Sequence, residues 1–491
     1  MIDIHIDNIN CKAIGLANYP RIQKCLQAYA PGYQYTYKYK RLGWDGKISL
    51  FDGESFPTGL LPLVLEQIQK YNFPVTLSDD RNIPGITLKS SPVALRPYQE
   101  AAVSSALSNT YLGTWWPRGV IQIATGGGKT EIAADIILKT NVPTIFLVHR
   151  RDLESQTVQR FNKYGIKTGG LDTIDKNHVT VVTVQTLMSC ITNFEKFYIN
   201  SEGKKTERSD DWMTKKDGSQ SAKEAKIKAS LLRMQQVFID EAHLVAAKLE
   251  TSTLFGKALA WMPNAYMRWG LTATPFMRDK LHNWMLEGST GPAIVSISNR
   301  ELIDQGFLSE ATVDIFDMGQ DAGIPKGWPD CYDFGVVTHR SRNMKIIECL
   351  KSYPGPVLIL VSKIGHGELL ESMASKAGID IPFLSGRSSQ KERMDTLDKL
   401  SNSKLRGAIV STIWDEGINC PAIRTIILAG AGKSEIKNLQ RLGRGLRTAP
   451  GKSTLKLVDF MDRSPQTLLR HSNERYKFWK EQGFEINIIK V

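Results

Sequence analysis

GVIQIATGGGKTEIAADIILKT, residues 119–140, reads as an apolar strand, a glycine-rich loop and the start of a helix. That sequence of elements aims a row of backbone N–H groups and the positive end of a helix at one small volume, an arrangement that binds phosphate. Gly126, Gly127 and Gly128 allow close backbone approach, and Thr125 belongs to the same loop. Lys129 supplies a charge for β- and γ-phosphates, and Thr130 a hydroxyl for Mg²⁺. Ile123 stands where such loops often start with a small residue. Alone, the loop is weak evidence, since a surface turn is the lesser but open alternative. The order of three further strings decides against that: DEAH at 240–243 after the apolar run QQVFI, TATP at 272–275, and QRLGRGLR at 440–447. A carboxylate pair at the end of an apolar strand is where a parallel α/β sheet builds an active site.

These four strings, within about 95–462, resemble the superfamily-two helicases. Within that superfamily they are most similar to DNA remodellers of the UvsW type, with the XPB and RecG types more distant. DEAH for DEAD, TAT for SAT and a last motif starting at Gln440 separate the chain from RNA-unwinding DEAD-box proteins. The resemblance implies that Asp240 holds Mg²⁺ through water and that Glu241 polarises the attacking water. It also implies that Gln440 completes the γ-phosphate environment and that Arg444 and Arg447 act as arginine fingers. Spaced i, i+3, the two arginines can share a helical face, and a guanidinium meets phosphate bidentately. By the same resemblance Arg96 and Gln99 read adenine, while His243, Thr272, Thr274 and Gly417 couple nucleotide state to movement. The nucleic-acid track would run through Arg150, Arg151 and Gln156, then Thr183, Gln185 and Thr186, then Lys363 and Thr412. Their hydroxyls, amides and cations suit phosphate contacts, which fix register without reading sequence. Asn419 departs from the aspartate common at its position.

Between the apolar runs lies a βα rhythm, which predicts a doubly wound parallel sheet repeated twice. The expected architecture is α/β, with two RecA-like motor domains after a small α/β (α+β) amino-terminal module. The turn-rich stretch SDDRNIPGITLKSSP, 78–92, predicts a boundary near 92. The first motor domain would occupy 93–304, with an insertion at about 193–229 read as a solvated loop ending in a helix. Its lysines leave open an arm that touches nucleic acid. The second would occupy 305–491, with a carboxy-terminal helix.

The 491 residues allow two to four domains, and 42% hydrophobic content is ordinary for a globular chain. A net charge of +13 favours a polyanionic partner. No membrane span is expected. The start, MIDIHIDNINCKAIG, has neither a basic leader nor an uninterrupted apolar core, so the chain is expected to begin at or near Met1. Six cysteines without C-x-x-C spacing point to a reducing, cytoplasmic setting and to core roles. The resulting expectation is an ATP- and Mg²⁺-dependent DNA helicase or translocase acting on forks and branched junctions. The alternatives are an RNA helicase, or the motor subunit of a restriction complex, which would need a nuclease site.

One patch stands outside the motor strings: GYQYTYKYKRLGWDGK, 32–47. Tyr33, Tyr35, Tyr37 and Tyr39 alternate with polar residues as in a half-buried strand, so they are expected to pack a small core. Lys38, Lys40, Arg41 and Lys47, with Trp44 at a turn, are expected to face DNA. The arrangement resembles the amino-terminal module of UvsW-type proteins.

Overall fold

The computed structural model describes residues 1–194, 198–199, 205–206, 218–245, 249–273, 280–411, 420–430 and 454–491, except 82, 84, 322, 328, 421 and 482. The chain divides into two compact units, 1–123 with 128–296, and 124–127 with 297–491.

The first unit contains a seven-stranded sheet in the order Thr168–Gly169, Val179–Thr183, Thr144–Val148, Gln236–Asp240, Met267–Thr272, Arg118–Ile123, Ala293–Ile297. The pairings from Thr168–Gly169 through Arg118–Ile123 are all parallel. Its central strands are buried along their length, as expected when helices cover both faces of a parallel sheet. With these strands running the same way, the ends of four neighbours, at Val148, Thr183, Asp240 and Thr272, open on one edge of the sheet.

The amino-terminal module is a four-stranded mixed sheet, Ser55–Pro57, Asn10–Ile14, Ile2–Ile6, Val75–Asp79. Alternation in IDIHI buries Ile2, Ile4 and Ile6 against Leu61, Val64 and Ile68 of the helix Leu61–Lys70. That core also takes in Trp116 and Trp284 from the motor sequence. The buried Arg118 guanidinium donates to the carbonyls of Thr290 (3.0 Å) and Asn8 (3.2 Å). A Cβ on Gly59 would lie 1.8 Å from the Glu287 carbonyl oxygen, so the two backbones touch there. The module is therefore packed into the first unit across a closed interface.

The tyrosine stretch is not a strand. Tyr33–Tyr35 form a 3-10 turn and Tyr37–Arg41 a short helix, started by Thr36, whose Oγ1 accepts from the Tyr39 N–H (3.3 Å). A threonine cap satisfies helix N–H groups locally, and this overrides the polar/apolar alternation. The tyrosines are also not core: Tyr35, Tyr37 and Tyr39 are 80%, 70% and 41% exposed. Of the insertion, the helix Gly218–Leu232 packs Ile227 and Leu231 into the core of the first unit.

The second unit repeats the architecture: Phe383–Leu384, Gly407–Val410, Val357–Leu360, Thr425–Leu428, Thr454–Met461, Glu310–Asp317, Glu485–Lys490, parallel throughout. A capping box between Ser298 and Glu301 starts the helix Asn299–Asp304 that enters it. The helix Gln466–Glu481 is held by a buried ion pair, Arg475 to Asp459 (3.0 Å), while Trp479 Nε1 donates to the same carboxylate (3.0 Å). The edge strand Glu485–Lys490 follows this helix and pairs with Glu310–Asp317. Among the described residues no helix is long and apolar enough to cross a membrane.

Candidate nucleotide site and nucleic-acid track

After the strand Arg118–Ile123 the chain turns through the glycines, with Gly126 at φ +89° and Gly128 at φ +80°, and enters the helix Lys129–Thr140. Side chains other than glycine rarely adopt that left-handed backbone. A Cβ at Gly128 would also fall 2.2 Å from Gln99 Nε2, so the glutamine amide would have to give way. Gln99, in the first turn of the helix Pro97–Leu107, accepts the Arg96 N–H at 2.8 Å through Oε1. The RPYQ string is thus brought against the start of the phosphate-loop helix. Its glutamine oxygen caps its own helix, and its nitrogen faces Gly128.

Lys129 Nζ donates to the Ile123 carbonyl (3.4 Å). It lies near enough to Asp240 to favour that residue's ionised form, as does His149. Opposing them, burial and the neighbouring Glu241 carboxylate push the Asp240 carboxyl up to about 6. Glu241 sits in the left-handed region at φ +48°. For a residue with a Cβ this is a sparsely populated conformation of the kind that clusters at functional sites. It turns the second carboxylate away from the strand direction, with its N–H on Asp240 Oδ1 (3.0 Å) and its Oε2 3.4 Å from His243 Nδ1. His243 in turn pairs with the Thr272 hydroxyl (3.0 Å) at the end of the next strand. DEAH and the first threonine of TATP are thereby joined by a buried side-chain contact.

The residues suit a divalent cation and a phosphate ligand. Two neighbouring carboxylates, with the charge on Asp240 disfavoured by burial and by Glu241, would be relieved by a cation. Glu241 Oε2 and Thr125 Oγ1 are each buried without a hydrogen-bond partner. Thr130 lies half-buried in the first turn of the helix.

Comparison with known proteins agrees with the geometry. Residues 92–277 match the family described as type III restriction enzyme, res subunit, and 341–449 match the helicase conserved C-terminal domain. The chain belongs to the superfamily-two helicases. "Putative helicase 22" of Sulfolobus islandicus filamentous virus is 25% identical over 393 residues, 74% of this chain and 64% of that protein's length. The DNA 3'-5' translocase XPB2 of Sulfurisphaera tokodaii is 24% identical over 86% of this chain and 91% of its own. The DNA-bound ATP-dependent type ISP restriction-modification enzyme LlaBIII has the same fold, with a TM-score of 0.56 and 15% identity. That alignment covers 87% of this chain and 34% of that enzyme.

In the first unit the adjacent strands Thr144–Val148 and Val179–Thr183 pair in register up to Val148↔Thr183. Their ends therefore bring Arg150 and Arg151 to the same edge as Gln185 and Thr186, all exposed, with Gln156 exposed further along the helix Arg151–Lys163. Thr183 itself is buried and serves as a cap, its Oγ1 accepting the Thr186 N–H (3.1 Å) and lying 2.8 Å from the Thr186 hydroxyl. In the second unit Lys363 begins the helix Ile364–Lys376, pairs with Asp333 and lies 5.6 Å from the Tyr332 ring centroid. Lys38, Lys40, Arg41 and Lys47 are exposed, and Trp44 Nε1 donates to the Lys47 carbonyl (3.0 Å). Thr274, Thr412, Gly417, Asn419, Gln440, Arg444 and Arg447 lie outside the described residues.

His149 is the residue that sequence reasoning left out of the acid pair's surroundings. The available signal was its place just after the strand Thr144–Val148. That strand neighbours Gln236–Asp240, with Leu147 opposite Ile239, so His149 and the carboxylates emerge side by side.

Proposed function

We propose that this helicase is an ATP- and Mg²⁺-dependent DNA translocase that unwinds or branch-migrates forked and junction DNA. The observation that carries the reading is the convergence of Lys129, Asp240, Glu241 and the His243–Thr272 pair around one strand edge of the first sheet. Phosphoryl transfer needs positioning and charge stabilisation more than covalent chemistry, and these groups can supply both. Lys129 exchanges its weak carbonyl contact for phosphate. Asp240 and Thr130 would hold Mg²⁺, which neutralises charge on the β- and γ-phosphates. Glu241, rotated off the strand by its backbone, orients the attacking water. The threonine hydroxyl on His243 gives the carboxylate pair a route by which nucleotide state can reach the segment after Met267–Thr272. Gln440, Arg444 and Arg447 are assigned the γ-phosphate and transition-state contacts on the strength of their motif.

DNA is preferred to RNA as the track because the XPB2 relative, matched over nearly its full length, is named a DNA translocase. Support for forks and junctions as substrates comes from the motif resemblance to UvsW-type proteins and from the basic amino-terminal module. The test is ATP turnover measured side by side with single-stranded DNA, duplex, fork, four-way junction and RNA. Stimulation by fork and junction above duplex is expected, and equal or greater stimulation by RNA would overturn the assignment. The family matched by 92–277 favours one second reading, the motor of a restriction complex. ATP-dependent cleavage of plasmid DNA by the purified chain would establish it.

A further inference from the structure

We infer that the amino-terminal module carries a tyrosine platform that stacks on the unpaired bases of single-stranded DNA tails. The inference rests on the DNA reading above and specifies which part of the DNA this module takes.

Tyr33 is the support. Its ring stacks on Tyr29 (centroids 4.7 Å, 20° between planes) and meets Tyr39 edge-on (4.9 Å, 82°). Gly46, at φ +81°, lies so close that a Cβ there would fall 2.2 Å from the same ring. Around this packed ring the others face water: Tyr29 is 53% exposed, Tyr35 80% and Tyr37 70%. Tyr29, Tyr35 and Tyr37 fall within nine residues of chain, and large rings exposed together mark a binding surface, whereas single apolar residues scattered over a surface are ordinary.

Charge identifies the occupant. Residues 8–44 contain Lys12, Arg21, Lys24, Lys38, Lys40 and Arg41 and no Asp or Glu. Lys40 lies 5.9 Å from the Tyr35 ring centroid and Lys47 5.4 Å from that of Tyr29, so cations stand beside the rings. A polyanion with accessible π-faces matches both features. Single strands are bound by aromatic stacking beside a basic groove, whereas the faces of paired bases are covered by their neighbours. Duplex recognition would need the cations but not the rings.

The test uses the full chain with Tyr35→Ala/Tyr37→Ala, and Tyr35→Trp/Tyr37→Trp as the conservative pair. Probes are a fork carrying 2-aminopurine in one unpaired tail, the other tail labelled in a second fork, a blunt duplex, and a fork with RNA tails. Wild type is expected to quench 2-aminopurine. The alanine pair should lose that quenching and weaken tailed-fork binding by roughly 5- to 150-fold for each base no longer stacked, and the tryptophan pair should restore both. Blunt-duplex affinity should stay unchanged. Equal loss on blunt duplex and tails, or full tail binding by a folded alanine pair, overturns the platform. Tighter quenching by RNA tails overturns its assignment to DNA. Failure of the motor reading is recognised separately, because wild-type ATP turnover would then respond to no DNA probe.

Discussion

Asp240→Asn is expected to stabilise the metal-free protein while abolishing ATP turnover. Burial and the neighbouring Glu241 carboxylate disfavour the charge on Asp240 and push its carboxyl up to about 6 in the folded protein, against 3.8 for an ordinary aspartate. With the folded value above the unfolded one, the folded state holds the proton longer as pH rises. Stability is therefore lost between pH 4 and pH 6 and stays low above that window. Two pKa units correspond to about 3 kcal/mol. This is an upper bound, since Asp240 at the strand end keeps partial access to solvent. Asparagine removes the charge, keeps the shape, and can still accept the Glu241 N–H that now reaches Asp240 Oδ1. In EDTA at pH 7.5 the variant should melt higher, by up to roughly 5–10 °C for a unit of this size. At pH 4 the two proteins should melt together. Mg²⁺ with ATP should raise the wild type and leave the variant behind. A variant less stable than wild type at pH 7.5, or a difference of the same size at both pH values, would refute the reasoning.

Other expectations follow from neighbouring features. Glu241→Gln should bind ATP but fail to turn it over, as read by nucleotide retention on a filter, whereas Lys129→Ala should weaken retention as well. Arg447→Ala should lower DNA-stimulated turnover by roughly a thousandfold with DNA affinity and melting temperature unchanged, which separates a transition-state role from a folding defect. Gly59→Ala should cost about 1–3 kcal/mol in thermal melting, because the obstructing group is the Glu287 carbonyl and no rotamer change can clear it. Burial holds the His366 imidazole down at about 3. The second unit should then lose stability as pH falls from 6.5 toward 3, where the unfolded chain takes the proton first. Amide exchange in the strand Val357–Leu360 would report it, and His366→Gln should remove the pH dependence.

The central strands and the phosphate loop were legible because burial on both faces and a glycine requirement leave direct marks in sequence. GVIQI, PTIFLVH and QVFID can hardly be anything but interior strands ending at functional loops. Edge strands leave weaker marks. Thr168–Gly169 is two residues long, and Glu485–Lys490 is largely exposed, so neither carries the apolar run that marks an interior strand. His149 was overlooked for a different reason, since its nearness to Asp240 is set by strand order across the sheet and not by spacing along the chain. The tyrosines were misread because period-two alternation says which residues share a face of a strand only when a partner strand exists, and Thr36 caps a helix there instead.

The amino-terminal boundary shows the same limit with a larger consequence. Residues 78–92 are rich in turn formers and read as a linker, yet a linker does not imply an independent module. Trp116 and Trp284 look like ordinary core residues of the motor, and the core they complete belongs to the module before them. Arg118 looks like a surface cation opening a strand, and its guanidinium is spent on carbonyls from Asn8 and Thr290. Removing 1–90 would expose two tryptophans and strip one of these two carbonyl acceptors from a buried cation, a change that costs far more than the loss of a DNA contact. A truncated motor that keeps its basal ATP turnover, which the position of the motifs alone would lead one to expect, is therefore not expected from the packing. Charge and tyrosine substitutions in the intact chain are the perturbations that isolate this module's role, because they alter its exposed face and leave its buried interface in place.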